Sequence, residues 1–367
     1  MTDTIKDTEK FLRLSGYFGR QRALLTGRDT TALMLLIEKF TGPDGRVILP
    51  AISCMTRLAS VLNTGRKPVI VDVGDDLNMD PSRLEEVCRA GDMVLATHIF
   101  GIPCALDEIK TICDDKGATV VEDASQSIGG KYDGKPLGSF GKASILSFAD
   151  GKLWPTHGGG ALITDDKELA VELEGKIDEL PVRPADYKEK KSGLINEFLP
   201  YCRDAWFGDP TALEEWQKLH EKYSDIYYFR INPVEADAIS DAVGDFDDSV
   251  EKRREMAYLY QKNMAGLPIT IPTWPVDSAV YRFTFIFSEN TPPEDVDNCV
   301  NDLKNEGVGV NRLYLPLTWL APDLIETEGC PYAESIGPRM VNLRVDTSTT
   351  RAHCNLAGVV VGRYAKE

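Results

Sequence analysis

Four residues of different chemistry stand near the ends of short apolar runs in the middle of this chain. Asp123 and Gln126 follow Ala118–Val121, Ser147 closes the run Ala143–Phe148, and Lys152 comes soon after, ahead of Gly160–Thr164. Runs of this length, rich in Val, Ile, Leu or Phe and bounded by Gly, Pro or Asp, predict strands buried on both faces of a mixed or parallel sheet. Ligands of open α/β sheets bind beyond the carboxyl ends of the strands. A carboxylate, an amide, a hydroxyl and an amine therefore converge on one crevice. An amine placed there can link to a carbonyl carbon, and a nearby carboxylate can keep a heteroaromatic nitrogen protonated. Most lysines are solvated surface residues. Lys131, Lys135 and Lys142 lie in polar turns and fit that description, whereas Lys152 follows a buried-looking strand and precedes three glycines.

The runs VVEDASQSIGG, GSFG, SILSFADGK and GGGALIT, in this order and spacing, resemble the core signature of the DegT–DnrJ–StrS family of sugar aminotransferases. These are fold-type I enzymes dependent on pyridoxal 5'-phosphate. The resemblance spans most of the chain. It implies an α/β fold with a large domain, residues 1–244, built on a mixed, mostly parallel seven-stranded sheet flanked by helices. A smaller α+β domain, residues 245–367, would follow. It also implies roles. Lys152 and Asp123 are the catalytic pair, with Lys152 carrying the cofactor and Asp123 holding its ring nitrogen. Gln126 contacts the ring oxygen, and Cys54 lies on the ring face. Ser147, Thr30 and Thr31 hold the phosphate, joined by Arg230 of the other subunit of a homodimer with composite sites. His98, Arg57, Tyr228 and Arg312 are the candidate substrate contacts. The implied reaction moves an amino group from glutamate or glutamine to a keto or aldehyde sugar, nucleotide-linked or free. Two alternatives stand beside it: a pyridoxal phosphate lyase, aldolase or dehydratase, and a degenerate relative that binds a ligand or partner without catalysis. The joint presence of Lys152 and Asp123 argues against the last.

Asp29, Cys54 and Tyr228 depart from the family pattern at positions that the resemblance turns toward the cofactor. Where the family has Ser-Gly-Thr-x-Ala-Leu, this chain has Arg28-Asp29-Thr30-Thr31-Ala32-Leu33. A carboxylate about 6 Å from a doubly charged phosphate is repelled by roughly 5 kcal/mol at an effective dielectric near 20. Asp29 must therefore turn inward as a helix cap or be offset by Arg28. Ser53 and Cys54 replace a Thr and an aromatic residue, and Tyr228 replaces the Asn of Gly-x-Asn-x-Arg. Gly158, preceded by His157, stands where the family often has Glu.

The elements that must position these residues are legible in outline. Ala32, Leu33, Leu36, Ile37 and Phe40 keep helical spacing, so a helix N-terminus falls near Asp29 and Thr30, a natural phosphate site. Strands are expected at Arg46–Leu49, Lys67–Asp72 and Met93–His98, and helices at Asp80-Pro81 and over Leu106–Lys116. Residues 166–222 read as helical, with 179–193 an exposed loop and Leu213, Trp216, Leu219 and Tyr223 on one helix face. A strand over Val280–Phe287, a helix over Pro293–Glu306, a strand over Val308–Tyr314 and a last helix from about Ser348 complete the small domain.

Composition narrows the class. With 367 residues and 43% hydrophobic content, the chain can bury a large core. A net charge of −17 speaks against sequence-independent nucleic-acid binding. The sequence contains no apolar run long enough to span a membrane and no apolar leader after MTDTIKDTEKF. The eight cysteines and four histidines lack disulfide or metal spacing, which predicts reduced thiols, no metal and a cytoplasmic enzyme.

Overall fold

The computed structural model describes residues 8–156, 158–243 and 247–367. After helix α1 (Thr8–Tyr17), strand β1 (Arg22–Thr26) leads into α2 (Asp29–Phe40), β2 (Arg46–Pro50), α3 (Met55–Asn63) and β3 (Lys67–Val71). Strands β4 (Met93–Thr97) and β5 (Thr119–Asp123) follow, then a two-residue hairpin, β6 (Lys131–Tyr132) and β7 (Lys135–Pro136), and then β8 (Ala143–Ser147) and β9 (Gly160–Thr164). The second half supplies β10 (Ile269–Thr270), β11 (Arg282–Phe287), β12 (Val310–Asn311), β13 (Glu326–Thr327) and β14 (Met340–Arg344).

The large sheet has eight strands in the order β1-β9-β8-β5-β4-β2-β3-β13. Only β9 runs against its neighbours β1 and β8; the other pairings are parallel. The expected seven-stranded sheet is thus one strand short. The extra strand, β13, is a two-residue segment from the second half of the chain that pairs with β3 through Glu326↔Val69 and Thr327↔Ile70. Too short to carry a pattern, it is invisible in the sequence. The inner strands are buried along their length, which is why they read as continuous apolar runs. A second, antiparallel sheet, β10-β11-β14-β12, packs on the helices Pro293–Asn305 and Arg351–Tyr364 around its own core of Phe283, Phe285, Phe287, Val341 and Leu343. The boundary expected between residues 244 and 245 lies outside the described residues, as does His157.

Local rules place the connecting helices. Asp80 accepts the Ser82 N–H at 2.8 Å ahead of Pro81, as the Asp-Pro pair predicts. The segment 179–193 is not all loop: the helix Tyr187–Trp206 begins inside it. That helix brings Lys191 close enough to Arg28, Asp150 and Asp29 for their charges to act on one another. Leu213, Trp216, Leu219 and Tyr223 are buried, as their helical spacing predicts. Among the described residues no helix is long and apolar enough to cross a membrane, and no group of His, Cys, Asp or Glu is placed to hold a metal.

Trp216 and His220, one helical turn apart, stack with ring centroids 5.0 Å apart and planes within 8°. His220 is buried, and burial lowers its imidazole to about 4. The folded protein therefore holds a neutral ring that the unfolded chain protonates near pH 6.5. Its contribution to stability is complete above about pH 6.5 and shrinks as the pH falls toward 4. Between pH 7.5 and 5 the wild type should lose about 2 kcal/mol from this residue. Denaturant melts of His220→Phe at the two pH values should show a correspondingly smaller loss.

Candidate active site

Asp123 ends β5, in the middle of the sheet, with β4 and β8 on either side. Its carboxylate is 2% exposed and meets the guanidinium of Arg57, itself 1% exposed, from the first turn of α3. Arg57 Nε donates to Asp123 Oδ2 at 2.6 Å and Nη2 to Oδ1 at 3.2 Å; the same Nη2 donates to Asp29 Oδ2 at 2.8 Å. The Ser125 N–H adds a further bond to Asp123 Oδ1. Arg57, a candidate substrate contact in the sequence, is thus the buried bridge between two carboxylates. Its Nη1 is buried without a hydrogen-bond partner, as are the hydroxyls of Ser53 and Ser125.

Asp29 resolves the question its position raises. It turns inward at the first residue of α2, accepts the Thr30 N–H at 3.1 Å, and pairs with Arg57 rather than Arg28. Burial by itself raises its carboxyl pKa. The charge of Arg57, followed by those of Lys152 and Arg28, more than reverses this and holds the group well below the usual carboxylate range. Arg28 points elsewhere: Nη1 donates to the Ile226 carbonyl and the guanidinium lies over the rings of Tyr187 and Tyr227.

Ser147 and the start of α2 come together through backbone packing. Ser147 pairs with Gly160 across β8 and β9, and Gly160 sits so tightly on α2 that a Cβ there would overlap the Asp29 backbone nitrogen. The hydroxyls of the threonines expected to hold phosphate donate to backbone carbonyls. Thr30 Oγ1 donates to the Tyr227 carbonyl at 2.8 Å, and Thr31 Oγ1 is within 3.2 Å of the Tyr227 and Phe229 carbonyls. The segment 227–229 thus lies across the beginning of α2.

Lys152 is half-buried in the turn after β8, and its ammonium is 5.3 Å from the centre of the Tyr281 ring. Gln126, buried, accepts the Phe100 N–H on its amide oxygen at 3.1 Å, which leaves its nitrogen end to donate. Cys54, half-buried before α3, accepts from Thr56 Oγ1 at 3.1 Å and lies within electrostatic reach of Arg57, Tyr227 and Tyr314. The Tyr314 ring stacks on Phe100 at 5.7 Å. Sequence reasoning missed Tyr281 and Tyr314. Tyr281 reads only as one aromatic in an alternating strand, and nothing in the sequence links it to Lys152.

Three sequence candidates are placed differently, and a fourth, Arg230, faces outward. His98 is wholly buried: Nε2 contacts Glu122 Oε1 at 2.9 Å and Nδ1 accepts the Cys104 N–H. Successive strand residues point to opposite faces, so Glu122 and His98 lie behind the sheet from Asp123. Tyr228 donates to Glu38 at 3.3 Å, on the same chain. Arg230 is exposed and reaches only the Asp178 carbonyl, at 3.5 Å. Arg312 is held on the Trp206 ring, 4.3 Å from its centre, and on the Pro338 carbonyl. At Gly158, a Cβ would overlap the Glu235 carboxylate that pairs with Arg183. The acid of another segment thus fills the space where the family often has a glutamate side chain.

Tested against pyridoxal phosphate, the residues fit in part. The amine of Lys152, the nitrogen of Gln126, Ser147 beside a helix N-terminus and the unpartnered Ser53 and Ser125 hydroxyls suit its aldehyde, ring oxygen and phosphate. The two charged anchors, Asp123 and the start of α2, are already engaged by Arg57 and Asp29.

The sequence pattern of the DegT/DnrJ/EryC1/StrS aminotransferase family matches residues 4–357. Among solved structures, a DegT DnrJ EryC1 StrS aminotransferase from Brucella abortus is 24% identical, with 99% of this chain and 91% of that one covered and a TM-score of 0.75. PseC of Helicobacter pylori, an aminotransferase involved in pseudoaminic acid biosynthesis, is 18% identical over 99% and 92% of the two chains, TM-score 0.78. DesV of S. venezuelae is 22% identical over 98% and 89%, TM-score 0.75. These likenesses establish the fold.

The placement of His98 has a measurable consequence. His98→Ala removes a partner from buried Glu122 and the acceptor of the Cys104 N–H, and should lower stability by about 2–4 kcal/mol. The affinity for pyridoxal phosphate, titrated on the folded variant, should stay within about twofold of wild type. A tenfold loss of affinity without loss of stability would return His98 to the site.

Proposed function

Since this chain belongs to the DegT/DnrJ/EryC1/StrS aminotransferase family, and is with it a pyridoxal phosphate–dependent aminotransferase, we propose that it aminates a keto or aldehyde sugar. The donor is glutamate or glutamine and the acceptor is nucleotide-linked. The observation that carries the reading is the placement of Asp123 at the carboxyl end of β5 and of Lys152 in the turn that follows the adjacent strand β8. The charge of Lys152 reaches Asp29, which shares Arg57 with Asp123. Burial, and then the charge of Arg28, lowers the pKa of Lys191 against the opposing charges of Asp150 and Asp29.

When bound, the cofactor supplies an aldehyde for the lysine amine and an electron-withdrawing ring that eases loss of a proton from the donor carbon. The chain does the rest. Lys152 holds the cofactor and, once released, takes a proton at Nζ and returns it one carbon away. The Tyr281 ring face, 5.3 Å from that amine, orients it. Gln126 orients through its amide nitrogen, while its oxygen is pinned by Phe100. Ser147 and the N–H groups at the start of α2 receive the anionic end. Exposed Arg230 is free to reach a second subunit, which supports a homodimer with shared sites.

Wild-type enzyme loaded with pyridoxal phosphate should pass its amino group from glutamate or glutamine to a nucleotide-linked keto sugar. Lys152→Ala should slow both half-reactions at least about a hundredfold. Loaded wild type that takes no amino group from any amino acid would sink the aminotransferase reading.

A further inference from the structure

We propose that Arg57 and Asp29 are an internal occupant of the cofactor's seat, each imitating one end of the molecule it displaces. Arg57 presents N–H donors and a positive charge to Asp123, as a protonated ring nitrogen would, through bonds of 2.6 and 3.2 Å. Asp29 presents an anion to the N-terminus of α2, as the phosphate would, and accepts the Thr30 N–H there. One salt bridge of 2.8 Å joins the two. All three side chains are buried: Arg57 is 1%, Asp123 2% and Asp29 8% exposed. The Thr30 and Thr31 hydroxyls, turned to the carbonyls of residues 227 and 229, complete a phosphate end satisfied from within.

The mimicry is electrostatic as well as positional. The guanidinium matches the ring nitrogen in sign at Asp123, and the carboxylate matches the phosphate in sign at the helix end. Cofactor and pair therefore exclude each other. A phosphate cannot enter beside Asp29 without strong repulsion, and a ring nitrogen cannot reach Asp123 while Arg57 is bidentate on it. Arg57 Nη1, buried and without a partner, shows that the guanidinium is not fully satisfied where it lies. Apparent affinity for the cofactor is then the intrinsic affinity reduced by the fraction of molecules whose seat is vacated.

This inference rests on the cofactor assignment above, and the test separates the two. Full-length protein freed of cofactor is titrated with pyridoxal phosphate, and the adduct is reduced with borohydride and located by peptide mass. Wild type should bind at least tenfold more weakly than Asp29→Gly/Arg57→Leu, with Asp29→Gly alone in between and the label on Lys152 throughout. Asp29→Gly keeps the Arg57–Asp123 pair, so it decides the matter even if the double variant fails to fold; an affinity no higher than wild type overturns the proposal. Equal, tight binding by all three proteins overturns it and leaves the cofactor assignment standing. No labelling of Lys152 in any of them overturns both.

Discussion

A carboxylate buried at the end of a central parallel strand with few hydrogen-bond donors of its own must be met by a cation. Asp123 has strands on both sides and almost no water. Leaving such a charge unpaired costs several kcal/mol. The partner comes from α3, and Arg57 spends one edge of its guanidinium on Asp123 and shares Nη2 with Asp29. A single side chain thereby ties the end of β5 to the first turns of α2 and α3. Those are the elements that border the crevice, so its shape in this form depends on that guanidinium.

The same strand carries a second buried charge one residue earlier, and it is met differently. Glu122 faces the other side of the sheet, where it accepts from the Gly138 and Phe140 N–H groups at 2.6 and 2.7 Å and from the Ser144 hydroxyl at 3.0 Å, besides contacting His98. Several donors converge on that carboxylate, so it does not rest on one partner. Asp123 has one backbone donor, from Ser125, and so needs a cation. The adjacent acids in Val-Val-Glu-Asp look alike in sequence, yet one fastens the hairpin-bearing loop behind the sheet and the other faces the crevice.

Much of this was legible in the sequence. Buried strands are short apolar runs, so β2–β5, β8 and β9 could be read nearly to their ends, and their order put Asp123, Gln126, Ser147 and Lys152 at one end of the sheet. The illegible parts share a cause: they are pairings between distant segments. β13 is two residues long and owes its existence to the edge of β3. The start of the helix at Tyr187 is hidden in a stretch of charges that stay solvated on its outer face. The partner of Asp29 could be narrowed to a cap or an adjacent arginine, but Arg57 lies a strand away in the chain. His98 reads as a strand-end residue facing a crevice, and only the alternation of Glu122 and Asp123, seen with its register, turns it to the back.

Asp29 and Arg57 make sense only as a unit. With glycine at 29, the guanidinium would still satisfy Asp123, but Nη2 would lose its second acceptor and the helix N-terminus would lie open to an outside anion. With an apolar residue at 57, Asp29 and Asp123 would be two buried acids facing each other, and at least one would have to take up a proton. The departure from the family's glycine is therefore compensated within the same site. Two residues of opposite charge thus satisfy each other and Asp123 within one site.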